Sequence, residues 1–140
     1  VVHAHRAAHR DDRVPRALGQ RLAFVELCAH ELVRALREHV RLAELFERWV
    51  RDEPGWELCA PRPYSLVCFR AEGDDAGSEA LLEAVNATGE AYLSHTRLHD
   101  RHVLRLAIGN AATTEDDVRA AWDVLRREEA RLGTTAQASA

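Results

Sequence analysis

The chain has 140 residues, 46% of them hydrophobic and 30% charged, with a net charge of −4, which suits one soluble domain with its own core and gives no basic field for nucleic acid. No apolar run approaches the roughly 18 residues needed to span a bilayer, and the N-terminus lacks the apolar stretch of a secretory signal, so the expected location is the cytoplasm. All 19 lysine-or-arginine positions are arginine, which leaves no side-chain amine for Schiff-base chemistry within this stretch.

Residues 1–13 are polar and aperiodic and are expected to form a disordered tail. The spacing of His3, His5 and His9 invites a metal reading, but a closed site needs three or four ligands held by a fold, so no metal is assigned. From Pro15, apolar residues recur three or four apart through Leu18, Leu22, Val25, Leu32, Leu36, Val40, Ala43, Phe46 and Val50. That period predicts one long amphipathic helix, or two joined by a bend, ended by Pro54 and Gly55. Arg34 with Glu38 and Glu44 with Arg48 are its expected i,i+4 surface pairs. The stripe is longer than a small domain can cover, so the part around Leu18 to Cys28 is a candidate partner surface, with a helical hairpin closing on its own core as the alternative. His39, beside Val40 on this helix, reads as structural.

Trp56 to Ala60 alternates as a strand, and Pro61 and Pro63 separate it from a second, Tyr64 to Phe69, apolar on both sides as in mid-sheet. Gly73, Asp74 and Asp75 form a turn into a helix carrying Leu81, Leu82 and Val85 and ended by Gly89. The sequon Asn86-Ala87-Thr88 reads as chance without a secretory signal. Ala91 to Thr96 is a third strand, joined through Leu98-His99-Asp100 to a fourth over His102 to Asn110. Thr114 caps a last helix that buries Val118, Ala121, Trp122 and Leu125 and stops at Gly133. Residues 134–140 are expected to be a second disordered tail. Cys28, Cys59 and Cys68 sit beside apolar neighbours and read as buried thiols rather than a disulfide framework.

This order predicts an α+β domain over residues 14–133: a mainly antiparallel sheet of about four strands, with helices on one face. In the fourth strand His102, Leu104, Leu106 and Ile108 would face the helices, and Val103, Arg105 and Ala107 the uncovered side. A guanidinium there can pair bidentately with a carboxylate or phosphate, which makes Arg105 the candidate site residue. His95 and His102 lie near it in sequence, but strand histidines are more often packed than catalytic.

Several runs in fixed order carry a family likeness: Arg37 to Ala43, Leu66 to Arg70, Asn86 to Gly89, His95 to Leu98, Val103 to Asn110, and Thr113-Thr114 through Ala121-Trp122. Across residues 30–132 they resemble the C-terminal small domain of the group II pyridoxal-phosphate-dependent amino-acid decarboxylases, most like the aromatic-L-amino-acid branch. The likeness implies the C-terminal domain of a fold-type-I enzyme that closes over a large domain carrying the cofactor lysine. It implies pyridoxal 5'-phosphate as cofactor of the intact enzyme, a homodimer, an amino-acid substrate, and Arg105 as a substrate-binding or lid-holding residue. An arginine that gripped the carboxylate tightly would oppose its loss, so Arg105 is expected to orient substrate or the small domain. The stretch alone is expected to be inactive. The runner-up is a non-catalytic interaction module or a degenerate remnant of the domain, and a third reading is the small domain of an aminotransferase-type protein.

Overall fold

The computed structural model describes the backbone over residues 16–138 and side chains over 26–134, so His3, His5, His9 and the expected N-terminal tail lie outside the described residues. Helix α1 is a single element, Arg16–Asp52, and the chain divides into two compact units at the junction of Arg34 and Ala35. In the first unit Leu27 and Leu32 are exposed and Arg34 pairs with Glu31 at 2.8 Å. The i,i+3 geometry replaces the expected Arg34–Glu38 pair. Glu38 instead bonds Arg41, which also reaches Glu115 at 3.1 Å.

The second unit contains β1 (Trp56–Leu58), β2 (Leu66–Ala71), α2 (Asp75–Thr88), β3 (Ser94–Leu98), β4 (Arg101–Ala107) and α3 (Glu115–Ala138). The four strands form one antiparallel sheet in the order β1-β2-β4-β3. Its core is one-sided: Leu42 and Phe46 of α1, Leu81 and Val85 of α2, and Val118 and Leu125 of α3 gather with Val67, Phe69, Leu104 and Leu106. Edge-to-face rings tie the layers together, with Phe46 5.1 Å from Phe69 and 5.5 Å from Trp122. This is the expected α+β two-layer domain with its helices on one face.

Element edges follow local hydrogen bonding. Asp74 caps α2 by accepting from the N–H of Gly77, and Gly89 ends it at φ 71°, the left-handed C-cap. Thr114 and Asp117 exchange bonds as a capping box, which holds the Asp117 carboxyl below its usual range. β3 begins at Ser94 rather than Ala91 because the Asn86 amide takes both backbone groups of Leu93, at 2.8 and 3.0 Å, removing that residue from the ladder. The β3–β4 turn has positive φ at both His99 and Asp100, the primed geometry whose twist matches a two-residue hairpin. α3 runs through Gly133 to Ala138, so the helix does not stop where the glycine predicted. A single glycine weakens a helix by only about 1 kcal/mol, which neighbouring turns can absorb.

Candidate functional site on the bare sheet face

Register defines the side of the sheet that the helices leave uncovered. Arg105 lies opposite Cys68 on β2 and Ser94 on β3, and the strand alternation puts Glu57, Arg70, Arg101, Val103 and Ala107 on the same side. Arg105 is half-buried, and among the described residues it has neither a carboxylate nor a hydrogen-bond partner. Two other arginines on this face are tied up. Arg101 pairs with Glu57, and Arg70, only 2% exposed, is 3.5 Å from Glu57 and 3.2 Å from Asp75. The face therefore presents one guanidinium, at mid-strand, with free donors for a planar anion.

Arg70 is the structural residue that the sequence reading missed. Its guanidinium donates to the carbonyls of Gly73 and His102, while the Asp75 carboxylate accepts the His102 backbone N–H at 2.9 Å. An ion pair thus takes over both backbone groups of His102 beyond the last β2–β4 pair, Phe69 with Leu104. The His102 N–H, and then Arg70, hold the Asp75 carboxyl below its usual range. A charged residue ending an apolar strand run, four and five residues before two aspartates, was the available signal. Val103 faces the bare side as expected, yet it is buried, so that face is not open along its whole length.

The structure separates the histidines from Arg105. Their parity puts His95 and His102 on the opposite face, where their rings stack at 4.7 Å. His102 is 6% exposed and its Nδ1 is buried with no partner among the described residues. Burial, and then the neighbouring His95, hold its pKa below the ordinary value. His39 is structural: its Nε2–H donates to the carbonyl of Asn110 at 3.0 Å, linking α1 to the chain just after β4. The cysteines are not buried. Cys28 is exposed, and Cys59 and Cys68 are half-exposed.

Pyridoxal phosphate, the cofactor implied by the resemblance, is not matched by this donor set. Arg105 could meet a phosphate or carboxylate, but the 140 residues contain no lysine to join the aldehyde. No group of three or more potential metal ligands occurs among the described residues, and none of their helices is long and apolar enough to cross a membrane.

No family model matches the chain. An aromatic-L-amino-acid decarboxylase of Catharanthus roseus is 37% identical over 98 residues, covering 66% of this chain and 20% of the relative. A phenylacetaldehyde synthase of Arabidopsis thaliana is 33% identical over 138 residues, covering 89% of this chain and 28% of the relative. The crystal structure of Catharanthus roseus tryptophan decarboxylase with L-tryptophan superposes at a TM-score of 0.68 and 36% identity, over 71% of this chain and 22% of that one. The chain spans about a fifth of the length of the first curated relatives it matches. Shared sequence and shared fold together place the chain, as a partial representative, in the aromatic-amino-acid branch of the pyridoxal-phosphate-dependent group II decarboxylases.

Proposed function

We propose that this stretch is the C-terminal small domain of an aromatic-L-amino-acid decarboxylase, closing the active site of a large domain that carries the pyridoxal phosphate. The observation that carries the reading is Arg105: a half-buried guanidinium without a partner among the described residues, on the sheet face that the helices leave bare. Leaving such a group unpaired at a closed interface costs more than pairing it, so a carboxylate of the substrate or of the large domain is its natural complement. In this reading Arg105 orients substrate or holds the closed lid. The stretch has no activity of its own, and the intact enzyme is a cytoplasmic homodimer.

The test is a chimera in which this domain replaces the corresponding part of a complete decarboxylase of the branch. Arg105→Ala should lower kcat/KM by at least about tenfold, roughly one charge-assisted contact, with an unchanged melting temperature. Kinetics equal to those of the unsubstituted chimera would refute the role of Arg105.

A second reading, a non-catalytic interaction module or a remnant, is favoured by the apolar exposure of α1, where Leu27 and Leu32 are 62% and 60% exposed. It predicts that the chimera has no activity even with Arg105 in place.

A further inference from the structure

Two of the three cysteines meet on the bare face. β1 and β2 pair with Leu58 opposite Phe69, and the ladder continues one step further, where the N–H of Cys59 donates to the carbonyl of Cys68 at 2.9 Å. Directly facing residues of such a hydrogen-bonded antiparallel pair have Cα atoms about 5.5 Å apart and side chains on one side of the sheet. A disulfide requires a Cα separation of about 4.4–6.8 Å, which such a pair meets, and a Cβ separation of about 3.5–4.5 Å, which it reaches when the edge strand β1 draws in toward β2. Both thiols are free and half-exposed, within reach of small oxidants.

We propose that Cys59 and Cys68 are a modification site, closing a reversible disulfide across the β1–β2 ladder when the protein meets a peroxide or a small-molecule disulfide. With hydrogen peroxide, the Cys68 sulfur attacks one oxygen and the O–O bond breaks, leaving Cys68 as a sulfenic acid and releasing one water. The Cys59 sulfur then attacks Cys68, and the departing hydroxide takes the Cys59 proton as a second water. Two thiols are oxidised and one peroxide is reduced. With a disulfide, two successive exchanges release two small thiols. Burial, and then the Glu57 carboxylate, push the Cys59 thiol up, which suits it to the second step, where the departing hydroxide removes its proton.

The site stands on the register of the sheet and not on the decarboxylase reading, but it lies on the face which that reading closes against a large domain. Cys68 stands opposite Arg105 in the β2–β4 ladder, so the new bond would tether the edge strand β1 to the strand beside that guanidinium.

The experiment treats the full chain with oxidised glutathione, raising its concentration until the exposed Cys28 is fully modified. Remaining thiols are then alkylated and the protein is digested with trypsin. Because Arg62 precedes Pro63, trypsin leaves Cys59 and Cys68 together on the peptide from Asp52 to Arg70. The expected result is that this peptide is unalkylated and lighter by two hydrogens, that dithiothreitol reverses the change, and that Cys59→Ser and Cys68→Ser each abolish it. Recovery of the peptide with both thiols alkylated, or with a separate glutathione on each, under conditions where Cys28 is modified, would overturn the proposal.

Discussion

His102 shows what a single ring nitrogen contributes when it is buried without a partner. Its Nδ1 is cut off from water and has no partner among the described residues, and its ring lies against that of His95. A buried unsatisfied polar atom costs about 1–3 kcal/mol, so His102→Phe, which keeps a stacking ring and removes the nitrogens, should raise stability at neutral pH by about 1 kcal/mol. The pH dependence follows from the direction of the shift. The folded state holds His102 below its ordinary value of 6.5, so between the two values the unfolded chain binds more protons. The stability that the neutral ring contributes is therefore complete above about 6.5 and is lost as pH falls below it. The groups that act on the ring are His95 and Arg97 on β3, which oppose its protonation, and Glu79 and Asp75 on α2, which favour it. Urea denaturation across this range should give a shallower acid limb for His102→Phe than for the native chain. Parallel limbs would assign the acid sensitivity to other groups.

At the scale of elements, the Arg70–Asp75 pair joins β2, the start of α2 and β4. Arg70→Met keeps most of the buried stem but strands the carbonyls of Gly73 and His102, and should cost about 3 kcal/mol, read as a lower denaturation midpoint. Asp75→Asn keeps the shape and removes the charge. Because the folded Asp75 titrates below its usual value of 3.8, its contribution is present above that value and disappears as pH falls through the lower folded one. The asparagine variant should lack this part of the acid unfolding curve, and a curve superimposable on the native one would show that the pair is energetically idle.

The same pair marks the limit of what could be read from the sequence. Helix and strand order was legible because it rests on local periodicity, and so was the face on which Arg105 stands. The β2 boundary was not: Tyr64 is 74% exposed, and the strand runs on to Ala71 because Asp75, across the turn into α2, and Glu57, on the neighbouring strand, neutralise Arg70. The opposition of Cys59 and Cys68 likewise depends on register, a pairing between strands that no window along one segment contains.

For the whole molecule, the one-sided core is the decisive property. Three helices cover one face of a four-stranded sheet, and the other face keeps a half-buried guanidinium, without a partner among the described residues, on the side of two thiols and Ser94. A domain built to stand alone gains nothing from holding Arg105 half out of water without a counterion, whereas a domain built to close on another surface can exchange that cost for a charge-assisted contact. In the proposed reading, the absence of lysine within these 140 residues sets what the large domain must bring. Incubated with pyridoxal phosphate and reduced with borohydride, the chain should carry no pyridoxyl group on any side chain, with the N-terminal amine the single site available for one. A stoichiometric adduct at an internal residue would contradict this division of labour. Added instead to a decarboxylase large domain stripped of its own small domain, the chain should co-elute with it on gel filtration and restore turnover. Replacing Arg105 with Ala should lower the restored turnover while leaving co-elution intact, which separates docking of the lobe from orientation of the substrate.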